Sequence, residues 1–392
     1  MREVYLDHAA TTPLDPRVWE AMLPFFRDNF GNPQSLHRYG DVPREAVERA
    51  RAQVAGLISA QDKEIFFTAS GSEANNFALK GIAFANENVG KHLIISAIEH
   101  HSVLNSARSL EKLGYEVTVI PVDAHGLADP AAVADAVRED TVLVSIIHGS
   151  NEIGTIQPIA EIARRVKERK RRIYVHTDAV MTAGTIPVNV DELGVDLLSL
   201  AGSAFNGPKG SGALYIRRGT RIMPYIDGGV QEKGRRGGTE NVPAIVGLGL
   251  AAELAQAEMG QRVTLLTALR DRLVQGLTSV DHVYLTGHPT QRLPGLASVV
   301  VEYVEGEALL LLLNASGIAA SSGSTCTSRA LKASHVLTAI GVETALAQGS
   351  LVFSLGAGNT PEDVDQVLEA FPKIVERLRA MSPLYHKQTE VA

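Results

Sequence analysis

Three groups of residues in this chain have the types and spacing to do chemistry. The first is Asp178, in His176-Thr177-Asp178-Ala179, directly after the apolar run Ile173-Tyr174-Val175-His176. A carboxylate there costs free energy unless it has a partner. A protonated pyridine nitrogen is one such partner, and a backbone cap is the plainer one. The second group is a set of polar turns that each follow a β-rich run. These are Ser70-Gly71-Ser72-Glu73, Glu99-His100-His101 and Gly149-Ser150-Asn151-Glu152. The first of them opens a helical stretch, so its N–H groups are free for an anion or only for a cap. His100 alone fits a structural histidine as well as a ligand. The third group is the sole cysteine, in Ser321-Ser322-Gly323-Ser324-Thr325-Cys326-Thr327-Ser328. Most lone cysteines are small buried hydrophobes. This stretch is too small and polar for a core strand, so it is expected as an exposed loop that offers Cys326 as a nucleophile or thiolate ligand. No second cysteine or His/Glu pair stands near it in sequence, so a closed metal site within one chain has no support.

The elements that must position these residues alternate. Between about residues 60 and 220 the runs 65–68, 93–96, 117–120, 142–147, 173–176, 197–200 and 213–216 are separated by amphipathic helical stretches such as 72–85 and 158–170. Continuous apolar strands in that alternation predict a mostly parallel sheet covered on both faces. Ligands of such sheets sit beyond the carboxyl ends of the strands, which is where the polar turns fall. After about residue 243 the pattern changes to a long helix, 242–279, a strand, 296–304, a helix, 306–316, the Ser/Gly stretch, and helices to the end. This predicts a smaller α+β unit.

Composition narrows the function classes. The 37 basic and 44 acidic residues give a net charge of −7, and the one dense basic run, 167–172, reads as a solvated helix end. Nucleic acid is therefore not expected as a partner. One cysteine excludes a disulfide framework within the chain. No membrane span and no signal-peptide core are expected, and the chain reads as cytoplasmic.

Longer motifs then carry a resemblance. Tyr5-Leu6-Asp7-His8-Ala9-Ala10-Thr11-Thr12, Gly31-Asn32-Pro33, Glu99 to Leu104, Asn151 to Pro158, His176 to Ala179, Gly207-Pro208-Lys209-Gly210, Arg235 to Asn241 and the 322–328 cysteine stretch occur in one order from end to end. Together they resemble the cysteine desulfurases of the class V aminotransferase superfamily, of the iron–sulfur assembly type. The resemblance implies a fold-type-I α/β enzyme with a seven-stranded, mostly parallel sheet, pyridoxal phosphate (PLP) as cofactor, and a homodimer with sites at the subunit interface. It implies a large domain over 15–260 and a small α+β domain, 1–14 with 261–392, carrying the cysteine loop. By motif position His100 would stack on the cofactor ring, Asp178 would pair with its nitrogen, and Asn151 would face the ring oxygen. Asn32 would meet the substrate carboxylate. Gly71 and Ser72 would hold the phosphate with Thr239 of the other subunit, and Cys326 would carry a persulfide.

The chain departs from the family pattern where that chemistry is done. In the Ser-x-His-Lys pattern before Gly-Pro-Lys-Gly, the serine is Ala201, the histidine is Ser203 and the Schiff-base lysine is Ala204. The glutamine three residues after the nitrogen-pairing aspartate is Met181, and the carboxylate-clamping arginine is Val352. Losing a bidentate arginine removes the strongest orienting contact for a carboxylate. Five losses in one pocket imply a desulfurase-like protein degenerate for PLP catalysis. It would act through Cys326 with an iron–sulfur scaffold protein, as a sulfur carrier or as a ligand to a transient cluster. The alternatives are an active desulfurase with PLP held non-covalently, and a remodelled pocket with another ligand or reaction.

Overall fold

The computed structural model describes residues 2–323, 333–383 and 385. Its strands in chain order are β1 (Val4–Tyr5), β2 (Ile65–Thr68), β3 (His92–Ser96), β4 (Glu116–Ile120), β5 (Thr141–Ser145), β6 (Tyr174–Asp178), β7 (Leu197–Ala201), β8 (Gly212–Ile216), β9 (Val283–Leu285), β10 (Leu296–Val301), β11 (Ile318–Ala319) and β12 (Ser350–Ser354). Seven of them form one sheet in the order β2-β8-β7-β6-β5-β3-β4. The β3–β4, β3–β5, β5–β6 and β6–β7 pairs are parallel, and β8 runs antiparallel to both its neighbours. The mostly parallel sheet expected from the apolar runs is therefore present.

Both faces of this sheet are buried, because successive side chains point to opposite sides. Ile65, Phe67, Ile94, Val144 and Leu198 pack into one core, while Phe66, Leu93, Leu143, Leu197 and Leu214 pack into another. The helix Gly71–Ala85 covers the second face and is capped by Ser70, whose Oγ accepts from Glu73 N at 3.1 Å. A third core gathers Leu266, Leu273, Val299, Leu351, Phe353 and Phe371 around the antiparallel sheet β12-β10-β9. β1 pairs with β11, which brings Val4 and Leu6 into that third core. The 37-residue helix Val242–Thr278 serves two cores: Ile245, Leu248 and Ala252 lie in the first, Leu269 and Leu277 in the third. Its length and composition would suffice to cross a membrane, but half of its apolar window is buried inside the protein.

Two boundaries differ from the sequence reading. Asp178 is the last residue of β6 rather than the first beyond it, because it still pairs in register with Ser199. β10 stops at Val301 instead of 304, where Tyr303 turns to a φ of 69°.

Candidate cofactor-binding site

The carboxyl ends of the parallel strands open on a cleft of about 760 Å³ whose lining includes Ser72, Asn75, His100, Asn151, Asp178 and Ser203. Gly71 lines it, where an added Cβ would stand 2.5 Å from Val180 Cγ2, so a larger residue here would force Val180 to shift. With Ser72 it turns the free N–H groups of a 15-residue helix toward the cleft, a ready anion site.

Asp178 is buried at the centre. Asn75 Nδ2 donates to its Oδ2 at 2.6 Å and Val180 N donates to its Oδ1 at 3.0 Å. Burial pushes the carboxyl above its ordinary range, against the opposing pull of His100 and these two donors. Asn75 Nδ2 also donates to Ser102 Oγ at 2.8 Å, and Ser102 Oγ lies 2.7 Å from His100 Nδ1. Because Ser102 N donates to the same Nδ1 at 3.1 Å, this network places the neutral ring's proton on Nε2. One asparagine thus sets both the carboxylate and the imidazole. Asn75 and Ser102 escape the motif reading, although Asn75 sits one helical turn from Gly71, a spacing that puts both on one face.

Beneath the cleft, Glu99 is fully buried. Its Oε1 accepts from Ser96 Oγ at 2.6 Å and from Ile147 N at 2.8 Å, and its Oε2 has no partner among the described residues. Burial pushes this carboxyl up to about 8. The native state therefore keeps its proton while an unfolded carboxylate ionises, so stability falls between about pH 5 and 8 and levels off above. Glu99→Gln lacks that slope. Thermal unfolding across this range should show the variant's Tm advantage growing up to pH 8 and then holding constant, and a pH-independent difference would contradict it.

Several anticipated residues converge here and others do not. Gly71, Ser72, His100, Asn151, Asp178, Ser203, Met181, Ala201 and Ala204 all line the cleft. Ala201 ends β7, and Ser203 and Ala204 form the short 3₁₀ turn after it. Thr12 pins that turn by donating to Ser203 O from its N at 2.8 Å and its Oγ1 at 2.9 Å. Val352, on β12, packs instead with Leu293 and Leu296, and Met181 and Ala9 pack against this cluster. Asn32 is exposed and its Oδ1 caps a turn through Gln34 N at 2.9 Å. Thr239 is exposed and lines a separate cleft beside Arg236 and Glu240, outside the cofactor-type cleft of this chain. Cys326 lies outside the described residues, between the flanks Gly323 and Ala333. Glu152, next to Asn151, is raised to about 7 by burial despite a hydrogen bond from Ser334. Among the described residues, no group of three or more His, Cys, Asp or Glu could hold a metal ion.

The profile of the class-V aminotransferase family matches residues 4–367. A protein described as cysteine desulfurase IscS from Methanosarcina thermophila is 54% identical over 387 residues, 99% of this chain and 95% of its own length. The chain belongs to the cysteine desulfurase family of class-V aminotransferases. Another relative, cysteine desulfurase IscS of Dictyoglomus turgidum, is 52% identical over 97% of each chain. Among solved structures, a NifS-like protein from Rickettsia africae superposes with a TM-score of 0.87 at 34% identity, covering 96% of this chain and 100% of the other.

Desulfurases of this family are PLP proteins, and the cleft keeps residues that suit the cofactor's ring and phosphate while Met181, Ala201, Ser203 and Ala204 depart from the family pattern. A buried carboxylate with only neutral donors bound to it suits a protonated ring nitrogen. His100 would cover the ring, Asn151 would face its oxygen, and Gly71, Ser72 and Ser203 would receive the phosphate. The missing feature is an amine. Among the described residues no lysine lines the cleft, and Lys209, five residues past Ala204, is exposed.

Proposed function

We propose that this protein mobilises sulfur for iron–sulfur cluster assembly without catalysing desulfuration itself. It acts through Cys326 on a scaffold protein. The observation that carries this reading is Ala204 in a cleft that otherwise suits PLP. Bound PLP supplies an electron sink for a carbanion at the substrate Cα. This chain's residues would bind and orient the cofactor through Asp178 and His100, but among the described residues none lining the cleft is placed as the amine that moves the Cα proton. Placed proton transfer is worth roughly 10²–10⁴-fold. Met181 and Val352 weaken the site further, since Met181 cannot donate to the ring oxygen and Val352 cannot clamp a carboxylate, and Met181 packs against the apolar cluster that holds Val352. With Cys326 as the working group, the thiolate takes the outer sulfur of a donor persulfide, whose S–S bond breaks and which leaves as a thiol, or it serves as ligand to a transient cluster.

The same reading assigns a cytoplasmic homodimer, with a large domain over 15–260 and a small one formed by 1–14 and 261–392. Exposed Thr239, turned away from its own cleft, supports a site completed by a second copy. Phe30, Leu36 and Val230 are 69%, 99% and 74% exposed and are available to such a copy.

Alanine release decides the central point. With L-cysteine, added PLP and a reductant, the protein is expected to form less than about one equivalent of alanine per chain. Accumulation beyond one equivalent overturns the reading in favour of an active desulfurase with PLP held non-covalently.

A further inference from the structure

Asn151 lines the cleft from a tight turn whose far side is bonded to the segment leading into β10. Ser150 N donates to Thr155 O and Gly154 N to Ser150 O, both at 3.0 Å, which closes the turn. Leu293 N donates to Gly154 O at 2.8 Å and Ile156 N to Gln291 O at 3.1 Å, so the two stretches lie antiparallel with Thr155 opposite Arg292. Arg292 is 5% exposed. Its guanidinium donates in three directions, from Nη2 to Ile153 O, from Nη1 to His288 O and from Nε to Leu296 O, each at 3.2 Å. One side chain thus ties the Asn151 turn to both ends of the segment 288–296.

A buried cation ordinarily has a carboxylate partner. Among the described residues Arg292 has only these carbonyls, and a second buried cation, Arg270, opposes it while pairing with Asp271. Burial, helped by Arg270, pushes its pKa down to about 10, so it is still charged at neutral pH. Stability alone does not call for a charge here, since apolar residues of similar volume often replace buried ions without loss. What a guanidinium supplies instead is several donors held in one rigid fork. Here the fork reaches Ile153 O, two residues from Asn151.

We propose that Arg292 is a positioning residue for the cofactor-type cleft, fixing through Ile153 O the turn that presents Asn151 to the ring oxygen of PLP. That placement carries more weight in this chain because Met181 cannot donate to the same oxygen. The inference deepens the functional reading above and rests on the PLP cleft assigned there. It makes no claim about desulfuration, so alanine accumulation overturns that reading and leaves this one standing.

Fluorescence titration of the full-length protein with PLP tests the link as a cycle of variants. Asn151→Ala is expected to weaken binding about fivefold, the worth of one hydrogen bond. Arg292→Met removes every donor and keeps an apolar stem. It should weaken binding about threefold, and by no more than Asn151→Ala does. In the Asn151→Ala background the same change should alter affinity by less than about twofold, because residues acting through one group are non-additive. Unchanged affinity in Arg292→Met overturns the proposal. So does an equal loss with and without Asn151, which is general loosening of the fold, and so does a wild type that binds no PLP. Arg292→Lys keeps the charge but not the fork, and the cycle is run with it, with the same loss expected, if Arg292→Met fails to fold.

Discussion

Ala204→Lys is expected to turn a protein that loses PLP on desalting into one that keeps it. After borohydride reduction, intact-protein mass spectrometry should find a covalent adduct of one cofactor per chain in the variant and none in wild type. The position makes this the largest single change available. Ala204 ends a turn whose backbone is fixed by two hydrogen bonds from Thr12 to Ser203 O and by β7 before it. It lines both the cofactor-type cleft and a second cavity of about 620 Å³ behind it, so a longer side chain has room without repacking the core. A reducible adduct in wild type would mean that another amine, such as Lys209, reaches the ring. No adduct in the variant would mean that the turn aims position 204 elsewhere. Turnover should recover much less than binding. A lysine restores the roughly 10²–10⁴-fold of placed proton transfer, but no arginine stands at 352 to clamp the substrate carboxylate, since Val352 packs with Leu293 and Leu296. Tether and clamp are separate losses, and only the first is repaired at 204.

How much of this was legible in the chain divides along a physical line. The seven strands and the helices between them follow from local patterning, since every strand but the half-exposed edge strand β4 is a run buried on both faces. The strand ends also point to the cleft, because a parallel sheet gathers its ligand residues at one edge. Order within the cleft is not local. Asn75 bridges Asp178 and Ser102 across 103 and 27 residues of sequence, and nothing in its own neighbourhood beyond helical spacing marks it. Val352 illustrates the reverse. Motif position puts it in the substrate site, yet a short β-branched side chain on β12 packs against Leu293 and Leu296 instead of reaching the cleft. Thr239 and Asn32 are legible as motif members, but a single chain leaves both exposed outside the cleft. Glu99 and Glu152 flank the ring-facing histidine and asparagine in sequence. Only the fold shows that each also holds the chain beyond the cysteine segment.

Asp178→Asn is expected to weaken PLP binding by roughly 10²–10⁴-fold while leaving the cofactor-free protein at least as stable as wild type. The two effects share one cause. A buried carboxylate is costly alone and valuable against a cation, so removing its charge from a paired state costs about 3–5 kcal/mol. In the free protein no such cation is bound to Asp178, and burial has already pushed its carboxyl upward. A native carboxyl above its unfolded value destabilises the fold progressively as pH rises through the interval between them. The uncharged variant escapes that loss, so its Tm advantage without PLP should widen toward higher pH. The new amide can still accept from Val180 N through its oxygen. Its NH₂ would confront the NH₂ of Asn75, but Asn75 Oδ1 is buried without a partner. An amide flip at Asn75 would bring that oxygen round to accept, at the expense of its bond to Ser102. His100 would then lose part of the network that fixes its ring, which adds to the loss of cofactor affinity without unfolding the protein. Fluorescence titration with PLP alongside thermal unfolding separates the two effects. Unchanged affinity would remove Asp178 from the cofactor site, and a large fall in Tm without PLP would show that the carboxylate is structural.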